Sequence, residues 1–138
     1  MAGDQVMIAL GIGCRRDARP AEIEAVIAQA LSAARLAAEE IDVVATAADK
    51  LQEPGVIDAA QRLGRPLRGI AQNDLAAVAD LAITRSDRVQ RLKGVPSVAE
   101  TAALAAAGRN PRLILPRIAN ASATCALAQG EGAQEDRR

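Results

Sequence analysis

The chain runs to 138 residues without a single phenylalanine, tyrosine or tryptophan. Its core must therefore be assembled from Ala, Leu, Ile and Val, within an apolar content of 50%. Small side chains let a helix approach a sheet closely but bury less area per contact. The missing aromatics also remove the stacking platforms on which single-stranded bases are read, so nucleic acid is not an expected partner. Histidine is absent as well. That excludes His-dependent triads, Cys–His dyads and His-ligated metal centres, and no metal site is expected. The cysteines number 2, Cys14 and Cys125, with no CxxC between them. They read as reduced thiols of a cytosolic protein. Neither sign of charge dominates, with 17 Lys+Arg against 17 Asp+Glu. No global field draws such a chain to DNA or to an anionic membrane, so any basic site must be local. Long hydrophobic runs are lacking too. Val6 to Leu10 is too short for a signal peptide or a membrane span, and no Lys or Arg precedes it.

What is present is a regular alternation. Residues 5–12 form a continuous Val- and Ile-rich run, expected as a buried strand. Pro20 suits a first helical position, and Ile23, Val26, Ile27, Ala30 and Leu31 then recur at helical spacing, predicting a helix over 20–36. Ile41 to Ala45 reads as a second strand, Pro54 to Leu63 as a helix closed by Gly64, and Pro66 to Ile70 as a third strand. Asn73 is expected to cap a brief helix through Val78, and Ser86 a helical turn through Lys93. Ser97-Val98-Ala99-Glu100 has the capping-box pattern and opens an alanine-rich helix that stops at Gly108. Arg112 to Ile118 and Ser122 to Ala128 pair as a hairpin, and residues 129–138 read as a disordered tail. The expected fold is a single α/β domain over 1–128, a three-layer sandwich. Its five-stranded sheet is mainly parallel and ends in an antiparallel hairpin.

Ligands of such sheets bind beyond the carboxyl ends of the parallel strands. Two stretches fall there: Gly11-Ile12-Gly13-Cys14-Arg15-Arg16 after the first strand, and Thr46 to Lys50 after the second. Glycines allow close backbone approach, and two arginines add guanidinium forks suited to carboxylates. Lys50 adds a point charge. A dinucleotide fingerprint is not met, because the last glycine of G-x-G-x-x-G is replaced by Arg16. On their own, Gly11 and Gly13 fit a ligand-facing turn or a plain tight turn.

The three motifs taken together, Gly11-x-Gly13-Cys14-Arg15-Arg16, Thr46-x-x-Asp49-Lys50-x-x-Glu53-x-Gly55 and Ser97-Val98-Ala99-Glu100 with Ala102-Ala103-Leu104, resemble the carboxy-terminal domain of the cobalamin-biosynthesis protein CbiG and its free-standing CobE relatives. The resemblance spans about residues 6–128 and includes Thr124-x-Ala126. It implies a role in building the corrin ring. CbiG itself is associated with opening the lactone of cobalt-precorrin-5A and releasing acetaldehyde; the resemblance covers its carboxy-terminal domain and not its amino-terminal and central regions. Precorrin intermediates are flat, partly apolar macrocycles fringed by acetate and propionate carboxylates.

The expectation is thus a corrinoid-binding carrier, or an accessory to ring contraction, that carries no cofactor of its own. Its ligand-binding candidates are Gly11, Gly13, Cys14, Arg15, Arg16, Thr46, Asp49, Lys50, Ser97 and Glu100. The alternative is a hydrolase opening the precorrin-5A lactone, with Glu53 or Glu100 activating water. A third reading is a docking partner of other pathway enzymes through its alanine-rich helix. Simpler roles compete at each position. Cys14 is either a thiolate at a helix N-terminus or a small ligand-lining thiol. Asp49, Lys50 and Glu53 can form a local ion-pair cluster. Ser97 and Glu100 are met by capping, and Arg112, Arg117 and Thr124 by ordinary strand positions.

Overall fold

A computed structural model describes residues 6–132, apart from the side chains of Arg88, Val89 and Lys93. Five strands, β1 (Met7–Cys14), β2 (Val43–Ala47), β3 (Leu67–Ile70), β4 (Arg112–Ala119) and β5 (Ala123–Gly130), form one sheet in the order β3-β2-β1-β5-β4. β1, β2 and β3 are mutually parallel. β5 lies antiparallel to β1, from Met7 opposite Gly130 to Cys14 opposite Ala123, and β4 lies antiparallel to β5. Two reversals make β4 run in the direction of β1. The end of β4 and the start of β5 therefore share the sheet edge at which the parallel strands end. β4 is an edge strand and carries Pro116 between Leu115 and Ile118, where its register with β5 shifts, the kind of position to which proline is confined in a sheet.

The helices are α1 (Pro20–Ala34), α2 (Pro54–Leu63), α3 (Gln72–Ala77), α4 (Asp87–Lys93) and α5 (Val98–Ala107). Alternation along β1 assigns the two faces. Leu10 and Ile12 point into a cluster with Ile23, Val26 and Ile27 of α1 and Val56 of α2. Ala9 points the other way, into a cluster with Ala102, Ala103, Leu104 and Ala107 of α5 and Leu75 of α3. Where β1 and β5 meet α5 this face has almost no bulk: Ala9, Gly11 and Gly13 of β1 and Ala126 and Ala128 of β5 face the alanines of α5. This is how a chain without aromatic residues closes its core, by bringing helix and sheet backbones together instead of filling the gap with rings. The three-layer α/β sandwich expected from the pattern is the fold observed.

Several boundaries move. β1 continues through Cys14, so Gly11 and Gly13 lie inside the strand and the turn begins only at Arg15. α1 ends at Ala34 because Arg35 adopts a left-handed conformation, φ 58°. α3 begins at Gln72 with Ala71 at its N-cap, which puts Asn73 inside the first turn, not at the cap. Gln129 and Gly130, expected in the tail, complete β5 opposite Ile8 and Met7. Beyond them Glu131 N–H donates to Arg109 O at 2.8 Å and Gly132 N–H to Ala107 O at 2.9 Å. The domain thus extends past residue 128. The rest of the expected tail, 133–138, and the expected first strand residue, Gln5, lie outside the described residues.

Candidate functional site

A groove of about 840 Å³ opens at the carboxyl edge of the parallel strands. That is within the range of roughly 300–1,000 Å³ of small-molecule sites. β1 contributes Gly13 and Cys14, and the segment after it Arg15 and Arg16. The end of β2 supplies Ala47, and the 3-10 turn at Ala48–Lys50 supplies Lys50. The first turn of α5 and its cap give Ser97 and Val98, and the 86–92 segment gives Ser86 and Leu92. The hairpin closes the far side with Arg117, Ala119, Asn120, Ala121, Ser122, Ala123 and Thr124. Among the described residues, four lining side chains are cationic and none is acidic.

Each wall is fixed locally. The hairpin turn is tied by Asn120, whose Oδ1 accepts from Ser122 N–H at 3.1 Å and Ala123 N–H at 3.0 Å. Asn120 Nδ2 donates to Glu22 O of α1 at 2.8 Å, and Ser122 Oγ donates to the Glu22 carboxylate. Arg15 N–H reaches Ser122 O at 3.0 Å, joining the β1 end to the hairpin. The α5 wall is capped by Ser97, whose Oγ accepts from Glu100 N–H at 3.3 Å.

The sequence candidates divide into two groups. Gly13, Cys14, Arg15, Arg16, Lys50 and Ser97 are brought together in the groove. Arg15 and Arg16 are exposed, while Cys14 and Lys50 are half-buried. The other candidates are elsewhere. Gly11 is buried under α5 and does not line the groove; a Cβ there would lie 2.7 Å from Ala103 N, so its lack of a side chain serves packing. Thr46 is fully buried and donates to Ile12 O at 2.7 Å, pinning β2 to β1. Asp49 is exposed and outside the groove lining.

Glu100, 0% exposed, accepts from Ile83 and Thr84 N–H at 2.8 and 2.9 Å through Oε1 and from Arg117 N–H at 2.8 Å through Oε2. It fastens the 83–84 segment and β4 to α5, in addition to the capping position expected for it. Glu53 stands at the N-cap of α2, and its Oε1 accepts from Asp17 N–H at 2.9 Å. Neither carboxylate lines the groove. Among the described residues, no three His, Cys, Asp or Glu side chains form a metal-holding group.

Sequence reading missed the hairpin half of the site. Arg117 and Thr124, taken as ordinary strand residues, both line the groove, as do Ser86 and Leu92. The signal lay in the hairpin: a strand running parallel to β1 has its end at the ligand edge. Cys125, by contrast, is fully buried, and burial pushes its thiol far up from its ordinary range.

Comparison with known proteins agrees with this architecture. Residues 8–128 match the family model of the cobalamin synthesis G C-terminus. Protein CobE from Sinorhizobium sp is 36% identical over 121 residues, covering 88% of this chain and 79% of that protein. A crystal structure of CobE, a protein from the cobalamin biosynthetic pathway, superposes with a TM-score of 0.83 at 31% identity, over 90% of each chain. Cobalamin biosynthesis protein chiG from Agrobacterium tumefaciens str. C58 gives 0.70 at 34% identity, over 94% of this chain and 100% of that one. A cobalamin biosynthesis protein G homologue from Sulfolobus solfataricus gives 0.70 at 28% identity, over 91% of this chain but only 37% of that one. With a family model matched over nearly its whole length and a fold shared with these relatives, the chain belongs to the cobalamin synthesis G C-terminus family, to which the CobE proteins of cobalamin biosynthesis are related.

Proposed function

We propose that the protein binds a corrinoid, precorrin-type intermediate in the groove and serves as a carrier or accessory to the ring-contraction stage, in the cytosol beside other enzymes of the pathway. One observation carries this reading: the groove combines cationic side chains with an apolar wall of Leu92, Val98, Ala47 and Ala123. A flat macrocycle fringed with carboxylates needs both. Arg15 and Arg16 can fork onto carboxylates, and the alanine and leucine surface receives the ring. The N-terminus of α5 adds its partial positive charge to the same side.

A hydrolase opening the precorrin-5A lactone needs a base beside the bound ring. The two carboxylates considered for that role accept hydrogen bonds from backbone N–H groups, and neither lines the groove. The carrier reading is therefore favoured. A visible-absorption titration of the purified protein with precorrin-pathway intermediates, followed by mass analysis of what is recovered, tests it. Saturable binding with unchanged ligand is expected. Release of acetaldehyde would replace the carrier by an enzyme, and no saturable binding to any intermediate would overturn the reading.

A further inference from the structure

Resting on the corrinoid reading, we propose that the groove recognises the charge state of its ligand: it takes the polycarboxylate form of the macrocycle and rejects the form whose carboxylates have become neutral amides. The argument is an imbalance of donors and acceptors. Cations enter from three separate elements: Arg15 and Arg16 beyond β1, Lys50 after β2 and Arg117 on β4. Such a spread addresses several acidic groups around a ring, not one acid at one end. Among the described residues, none of the ion pairs engages any of the four.

The side-chain acceptors are uncharged by comparison. Among the described residues no carboxylate lines the groove, whose side-chain acceptors are the hydroxyls of Ser86, Ser97, Ser122 and Thr124, and three carboxylates behind its walls are engaged elsewhere. Glu22 accepts a hydrogen bond from the Ser122 hydroxyl, Glu53 one from the Asp17 N–H, and Glu100 three from backbone N–H groups. The amide of Asn120 is spent as well, with its oxygen accepting two N–H groups and its nitrogen donating to Glu22 O. A ligand amide would bring N–H donors to a wall with no ionised acceptor. It would also give up the charge-assisted bonds that its carboxylate makes to Arg or Lys.

The test compares cobyrinic acid, with its side-chain carboxylates free, and its fully amidated form as probes, by absorption titration at low and at moderate salt. The acid is expected to bind at least about 100-fold more tightly, with an affinity that falls as salt rises. Lys50→Met and Arg117→Met should each weaken the acid about tenfold and the amide far less, so that the preference for the acid narrows. Equal affinities, or tighter binding of the amide, would overturn charge-state recognition and leave corrinoid binding standing. If neither probe nor any pathway intermediate binds, both the corrinoid reading and this inference fail.

Discussion

Gly11 of β1 lies directly beneath Ala103 of α5, so close that a Cβ added to the glycine would stand 2.7 Å from the Ala103 nitrogen and 3.0 Å from its Cβ. The obstacle is backbone, which cannot rotate aside. Gly11→Ala should therefore cost about 3 kcal/mol, at the upper end of overpacking, because α5 as a whole must shift off the sheet. Urea unfolding of the two proteins measures it. Gly13→Ala should cost less, because its Cβ would meet the Thr124 Oγ1, at 2.6 Å, which can turn away.

Glu100→Gln tests the assignment of that carboxylate as a fastener. Three N–H groups converge on two oxygens, and a glutamine offers one oxygen and a nitrogen that repels the remaining donor. A loss of about 2–4 kcal/mol is expected, from a hydrogen bond to a charged group and a buried N–H left unmatched. Hydrogen exchange should show the protection of the Ile83, Thr84 and Arg117 amides falling together.

Thr46→Val separates structure from ligand contact. The Thr46 hydroxyl bonds Ile12 O at 2.7 Å inside the core. Its removal should destabilise the fold by about 1 kcal/mol and leave ligand affinity unchanged. A changed affinity measured by absorption titration would return Thr46 to the ligand site.

The two thiols should behave differently. Cys14 is half-buried at the groove and Cys125 is fully buried. Iodoacetamide at neutral pH should modify Cys14 alone in the native protein and both after unfolding, as mass spectrometry would read. Burial also raises the Cys125 thiol above its ordinary value of 9.0. The folded state thus holds that proton where the unfolded chain has lost it. The associated stability is complete below about pH 9 and declines above it, by up to about 1.4 kcal/mol per pH unit. Cys125→Ala should flatten that part of the pH profile, whatever its effect at neutral pH.

Ser97→Ala should cost about 0.5–2 kcal/mol through the lost bond from Glu100 N–H. Ser97 also lines the groove, so denaturation and ligand titration should be run on the same variant. A fall in affinity without loss of stability would assign the serine to the ligand alone.

Local pattern determined the elements. The spacing of Ile23, Val26 and Ile27 marked α1, Gly64 marked the end of α2, and Ser97 with Glu100 marked the start of α5. These signals act within a few residues, through side-chain period and capping, and they survive in any tertiary setting. Alternation of strand and helix was enough for the layers, and with them the edge at which Arg15, Arg16 and Lys50 would meet. What the sequence left open is which side of a backbone each residue presents and to what. Gly11 and Gly13 look alike in the chain, yet one lies under α5 and the other borders the groove. Glu100 and Glu53 look like free bases until backbone N–H groups distant in sequence engage both oxygens of the first and one of the second. Arg117 becomes a groove residue only because β5 inserts between β1 and β4, so that β4 ends at the ligand edge. These outcomes rest on contacts between residues many positions apart, which only the packed sheet and its helices bring within reach.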